Sequence, residues 1–345
     1  MKYSELSYMG HPSQKYRAEL VRLCGGKGDG MRLLQIDNGN GLNLTLVPDR
    51  CLDPYRLSFR GDNYGFMSPC GLTAPTYYSD KGADFLRTFT AGFMTTCGLT
   101  FLGGACTDQG EELGMHGRIN AAPAEELCWY VEEQDGEDVI VVTARMEEGR
   151  LFAEKLSLTR TVRIHTAENK IDFEDVIANE GGEEQPFMLL YHMNMGYPLL
   201  DENAEVFIPA EKTVSRDPRA EEGIDCWNKI DPPEQGFAEQ CYYHTVKKDE
   251  NGWGSVGLFN NKLQKGVKIS FDTAILHDFT EWKQLGERDY VLGLEPSNCK
   301  VDGRDKARER GELEFIGRGE KKTVRYSVKA VCGEEGKAEL LSLLG

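Results

Sequence analysis

Long helical patterns, paired cysteines, excess positive charge and membrane-length apolar runs are all scarce or missing in this sequence, and each absence removes a class of protein. No extended segment repeats apolar residues at helical spacing, which argues against a helical bundle or an α/β sheet with interleaved helices. The ten cysteines stand singly at 24, 51, 70, 97, 106, 128, 226, 241, 299 and 332. With no C-x-x-C pair and no cysteine-dense module, neither a zinc knuckle nor a disulfide framework is indicated. No apolar run approaches transmembrane length, and the N-terminal segment lacks the apolar core of a signal peptide, so the expected location is the cytoplasm with no membrane partner. Lysine and arginine number 40 against 57 aspartates and glutamates, a formal net charge of −17. Such a surface repels phosphate backbones, so no nucleic-acid partner is expected. There is no G-x-S-x-G elbow, and the glycine pairs at 103–104 and 181–182 lack the strand–helix setting of a phosphate loop.

What the chain does have is alternation. Hydrophobic residues make up 40% and charged residues 28% of the sequence, ordinary proportions for a soluble protein with a sizeable core. Over residues 155–165, Leu156, Leu158, Val162 and Ile164 share one face, and Lys155, Ser157, Thr159, Arg163 and His165 the other. Segments 139–144, 171–177, 187–194, 290–294 and 323–331 read as further strands, broken by turns rich in the 38 glycines and 13 prolines. A helical turn is expected at 83–87 and a short terminal helix at 334–344. Residues 211–252, of mixed charge and few apolar runs, read as a long loop or insertion. The pattern predicts one all-β domain over 1–345, a sandwich or barrel.

Only six histidines are present, so their placement is informative. In the strand 187–194, alternation puts Met188, Leu190, His192 and Asn194 on one face. Two polar residues beside the Gly196-Tyr197-Pro198 turn suit a cleft better than a dry core, where each needs partners. Glu295 closes the apolar run 290–294, and Pro296 restricts it to extended geometry. It reads either as a salt-bridged structural residue or as a base tuned by desolvation. His116 and Arg118 follow a glycine-punctuated run, where loops on a rigid scaffold gather binding groups. Arg50 and Arg87 are cations among apolar or aromatic neighbours, each expected to have an acidic or ligand partner. Trp282 and Lys283 precede Glu295 by a few residues, and a tryptophan face is a common sugar platform. Histidines 11, 165, 244 and 277 lack comparable context. His116, His192 and Glu295 could also form a 2-His-1-carboxylate metal triad, although no two of them are near in sequence.

These motifs resemble the aldose 1-epimerase (galactose mutarotase-like) superfamily, and more closely its branch called domain of unknown function 4432. The resemblance is carried by Pro48-Asp49-Arg50-Cys51-Leu52-Asp53, Phe85-Leu86-Arg87-Thr88-Phe89, Thr95-Thr96-Cys97-Gly98 and His116-Gly117-Arg118-Ile119. It continues through 191–202, Glu281-Trp282-Lys283 and Gly293-Leu294-Glu295-Pro296-Ser297-Asn298. It implies a β-supersandwich, two large antiparallel sheets with a cleft on one concave side. It also implies a reaction, opening and reclosure of a sugar ring at C1, that needs no metal or other cofactor. His192 then matches the general acid, Glu295 the general base and His116 a second histidine near the ring oxygen. Arg87, Arg50, Asn194, Trp282, Lys283 and Asn298 become candidate substrate-binding residues. Arg118 stands where a neutral hexose needs no cation, which suggests a sugar acid or phosphate as substrate. The partner is a small-molecule carbohydrate; monomer and homodimer both stay open. A non-catalytic sugar-binding or sensing protein on the same scaffold is the alternative.

Overall fold

The computed structural model describes residues 3–345. Lys155–His165 forms a strand with the expected bounds, and Lys321–Cys332 contains the second clean alternation. Both belong to an eight-stranded antiparallel sheet. Its order is Glu125–Gln134, Glu137–Gly149, Lys155–His165, Lys170–Asn179, Lys321–Cys332, Lys265–Asp272, Trp253–Asn260 and Ala204–Phe207. A seven-stranded sheet runs Ala210–Ser215, Gln240–Val246, Asp278–Gly286, Asp289–Ser297, Gln185–Met195 and Glu314–Ile316, with Met94–Leu99 also pairing Gln185–Met195. Five strands between Arg17 and Asn63 make a smaller N-terminal sheet.

Alternation builds the core. Leu156, Leu158, Val162 and Ile164 from the larger sheet share one buried cluster with Leu189, Tyr191, Met193, Leu292 and Leu294 from the other. Full burial of each such aliphatic side chain contributes about 1.5–3 kcal/mol. The even-numbered residues of Gln185–Met195 therefore face away from this core. Met188 and Leu190 pack with Cys299 and with Ala307 of the helix Arg304–Glu309. His192, further along, is left facing the cleft.

One core residue breaks the apolar pattern. Arg160 is fully buried and donates to Asp53 (2.7 Å) and Asp175 (2.6 Å), to Thr96 Oγ1 (2.9 Å) and to the Cys51 carbonyl (3.1 Å). Tyr191 donates its hydroxyl to Asp175 (2.7 Å). Dense hydrogen bonding is what makes such a desolvated charge tolerable.

The expected helical turn is a 3-10 turn, Asp84–Arg87, and the terminal helix is Gly333–Leu341. The reading of 211–252 as a loop is corrected. Ala210–Ser215 and Gln240–Val246 are strands of the seven-stranded sheet, and the connection proper is 216–239. Ala210–Ser215 is an exposed edge strand, and Gln240–Val246 buries Gln240 and His244 inward, so neither shows an apolar rhythm. Among the described residues, no helix is long and apolar enough to cross a membrane.

Candidate active site

Three neighbouring strands of the seven-stranded sheet place the central side chains. Glu295 pairs with Thr280 on one side, and the register Met193↔Leu294, Asn194↔Gly293 sets His192 opposite Glu295 on the other. Trp282 lies one rung away, paired with Gly293. On Asp278–Gly286 the inward face carries Phe279 and Leu285 of the core, so Thr280 and Trp282 face the cleft. The resulting cavity holds about 410 Å³, lined by residues including Phe85, Phe89, Met115, His116, His192, Arg216, Glu239, Trp282, Glu295 and Asp302.

At its floor His192 Nε2 lies 3.3 Å from Glu295 Oε1. Both side chains are nearly inaccessible, and His192 Nδ1 and Glu295 Oε1 are buried without a hydrogen-bond partner. Burial pushes His192 down to about 3, with His116 adding to the effect. Burial also pushes Glu295 well above the usual carboxylate range; the Glu239 charge adds to this and Arg216 opposes it. Both shifts favour the uncharged forms, a neutral imidazole and a protonated carboxyl.

Gly293 makes room for that carboxyl. A Cβ at 293 would meet Glu295 Oε1 well inside 3.0 Å and would lie 3.0 Å from the Trp282 Cβ. Glu295 folds over its own i−2 neighbour into space that only glycine leaves empty.

His116 comes from a loop, not a strand, and holds a left-handed backbone (φ 57°), uncommon for a residue with a side chain. Gly117 locks it there, because a Cβ at 117 would collide with the Gly98 carbonyl. The His116 N–H donates to Gly103 O (3.1 Å), and Gly98 N–H donates to His116 O (3.1 Å). Its ring lies 5.0 Å from Phe85 and 5.9 Å from His192. Burial pushes it down to about 4, with Glu239 opposing and Arg216 adding.

Of the expected binding residues, only Trp282 lines the cleft. It donates Nε1–H to Glu239 (2.7 Å) and meets the His192 ring edge-on at 5.3 Å. The others are engaged elsewhere. Arg118 does not line the cleft; it donates to Asp80 (2.7 Å), lies 3.6 Å from Glu154 and stacks over Phe101 (4.7 Å). Arg87 sits beside the cleft on the 3-10 turn, but its side chain is 84% exposed and faces Asp84. Arg50 is buried behind the cleft, donating to the Thr73 and Thr88 carbonyls and to Asn120 Oδ1. Lys283 takes the inward face opposite Trp282 and donates to the Cys226 and Trp227 carbonyls. Asn194 donates to the His192 carbonyl (2.9 Å). Asn298 bridges strands, accepting from Leu189 N–H (2.7 Å) and donating to Phe187 O (3.0 Å).

Sequence reading passed over Arg216, Glu239 and the apolar residues Phe85, Phe89 and Met115. Arg216 and Glu239 end the two strands mistaken for loop, and Arg216 donates to Glu239 (3.0 Å). The phenylalanines were quoted within a motif, but nothing local indicated that their rings would lean on the two histidines. Among the described residues, no group of three or more His, Cys, Asp or Glu side chains is arranged to hold a metal ion.

Comparison with solved structures places this architecture. A Klebsiella pneumoniae protein provisionally assigned as an aldose 1-epimerase superposes with a TM-score of 0.90 at 24% identity, over 96% of this chain and 88% of that one. A galactose mutarotase-like protein from Clostridium acetobutylicum gives 0.62 at 13% identity, over 93% of this chain and 100% of that one. Galactose 1-epimerase from Lactobacillus acidophilus gives 0.58 at 12% identity, over 92% and 100%. At these identities the likeness establishes the fold, which is galactose mutarotase-like. No curated protein sequence matches significantly. The model of the family described as Domain of unknown function (DUF4432) matches residues 28–330, most of the chain, and the protein belongs to that family.

Proposed function

We propose that this protein is an aldose 1-epimerase, interconverting the anomers of a sugar by acid–base ring opening and closure. The observation that carries the reading is the His192–Glu295 contact, two proton-transferring groups 3.3 Å apart on adjacent strands at the floor of a sugar-sized cleft. Exchange at C1 requires one group to take the C1 hydroxyl proton while another protonates the ring oxygen. Both oxygens are bonded to C1, so the two groups must stand side by side, as these do.

The pair needs one proton between its members. In the free site, burial favours that proton on Glu295 and a neutral His192, the reverse of the assignment expected from resemblance. The protonated member acts as acid and the other as base, and closure on the opposite face of the carbonyl returns the proton. Positioned acid–base groups contribute about 10²–10⁴-fold each, enough for a reaction already fast in water.

The cleft also revises the substrate expectation. Arg118, whose charge suggested an anionic sugar, does not line the cavity and is bound to Asp80. The arginine that does line the cavity is Arg216, and it is paired with Glu239 and Asp217 at 3.0 Å each. Asp302 adds another carboxylate to the lining. This balance favours an uncharged sugar over a sugar acid or phosphate. The ten unpaired thiols fit the reducing cytoplasm.

The test is anomer exchange by saturation-transfer NMR over neutral, acidic and phosphorylated sugars, with Glu295→Gln run alongside. Acceleration of a neutral sugar, lost in the variant, is expected. Binding without acceleration would make the protein a sensor instead.

A further inference from the structure

Glu148 is a buried carboxyl that the proton-transfer chemistry does not use. It stands near the end of Glu137–Gly149, a strand of the eight-stranded sheet, and does not line the cleft. One of its oxygens accepts from the Leu99 N–H (3.3 Å) and the other from Thr100 Oγ1 (3.1 Å). Burial pushes the group up to about 7, with Arg118 opposing. That arginine is committed elsewhere, to Asp80 at 2.7 Å and Glu154 at 3.6 Å. A carboxyl desolvated without a close cation adds little to stability, so its two bonds call for another explanation.

The residues it holds lead to His116 through main chain alone. Leu99 and Thr100 follow Gly98, which has backbone packed against it on both sides. A Cβ at 98 would collide with the Met188 carbonyl, on the strand that bears His192, and a Cβ at 117 would collide with Gly98 itself. Gly98 grips the histidine segment at two points. Its N–H donates to the His116 carbonyl (3.1 Å), and its carbonyl accepts from the Arg118 N–H (2.9 Å). No side chain cushions these contacts, so a displacement of 98–100 passes directly to 116–118. The His116 ring cannot hold itself in place by polar contacts, because its Nδ1 is buried without a partner. It leans on Phe85 at 5.0 Å, part of an aromatic wall with Phe89, and its position is set by its backbone.

We infer that Glu148 is a positioning residue for His116: it ties residues 98–100 to the eight-stranded sheet and, through Gly98, fixes the left-handed backbone that presents the imidazole to the cleft. What His116 does there rests on the epimerase reading; that Glu148 places it does not. The charge of Glu148 is not what holds the segment. With a proton on one oxygen, the carboxyl still accepts from Leu99 N–H and donates to Thr100 Oγ1, and a glutamine amide would do the same.

The experiment follows the ring NMR titration of His116, assigned by its loss in His116→Gln, together with kcat for anomer exchange. Wild type is compared with Glu148→Ala, Glu148→Gln and Met146→Ala. Met146 lies in the main core on the same strand, so its truncation weakens the fold without removing either bond to 98–100. In wild type His116 should titrate near 4. In Glu148→Ala the loosened, hydrated ring should move toward the ordinary imidazole value of about 6.5, and kcat should fall about 10–100-fold. Glu148→Gln and Met146→Ala should keep the titration near its wild-type position and kcat within about 3-fold. An unmoved His116 in Glu148→Ala, a glutamine no better than the alanine, or the same change in Met146→Ala overturns the inference. If Glu148→Ala does not fold, Thr100→Val, which removes one of the two donors, should move His116 the same way by less; no movement there overturns it equally. If wild type exchanges no sugar, the epimerase reading falls and the His116 titration alone decides this one.

Discussion

Replacing Gly293 with alanine tests whether the floor of the cleft works as described. The added methyl would occupy space now held by Glu295 Oε1, under the 3.0 Å that real Cβ atoms keep. The carboxyl is the far end of a flexible side chain, so it yields rather than the strand. The fold should survive, at a cost of about 0.5–1.5 kcal/mol of off-rotamer strain. Restoring ordinary contact requires a shift of about 1 Å, and a misplacement of that size costs on the order of 10²-fold in rate. It also disturbs the 3.3 Å approach to His192. The assay is kcat for anomer exchange on the best substrate, with thermal unfolding run in parallel. Glu295→Asp draws the carboxyl back from position 293, so it should cost less in the Gly293→Ala background than in wild type. A Gly293→Ala protein that folds normally and keeps kcat within about 3-fold of wild type would refute the reasoning.

Three other outcomes follow from features already described. Exchange needs one proton on the His192–Glu295 pair, and His192 is pushed down to about 3. Activity should therefore be lost on acidification only near that value, as His192 becomes protonated. An acid limb centred near the ordinary imidazole value of about 6.5 would contradict this. Arg118→Ala should leave the preference between neutral and anionic sugars unchanged, because the guanidinium is committed to Asp80. Its effect should instead be a stability loss of about 1–3 kcal/mol, measured by denaturant unfolding. Arg160→Met leaves Asp53 and Asp175 buried without their cation, and should destabilise by on the order of 3–5 kcal/mol; a midpoint close to wild type would mean the carboxylates find other partners.

Much of the scaffold was legible because alternation is a local signal. Residues 155–165 show it without interruption, and the same rule put His192 and Asn194 on the face away from the core. Side-chain direction in turns and loops is not local. Arg118 is aimed by Asp80, 38 positions away, and Arg50 by carbonyls at Thr73 and Thr88. Nothing beside either arginine in sequence announces those partners. Arg216 and Glu239 were hidden for another reason: their strands expose polar side chains on an edge or bury polar ones inward, so both read as loop. Arg160 sat on a face that alternation marked as apolar, and the aspartates that permit it lie at 53 and 175.

The buried guanidinium of Arg50 has a consequence for how this cleft can change. Two of its three acceptors, at Thr73 and Thr88, are main-chain carbonyls, which every residue supplies. The third, Asn120, donates its amide to the Gly117 carbonyl next to His116. One cation thus moors the segment leading into Phe89 and the loop bearing His116 while asking almost nothing of the side chains they display. Residues on the aromatic wall can be exchanged without cutting the mooring. The lining on that side of the cleft can then vary while His192 and Glu295, housed on strands, stay where they are.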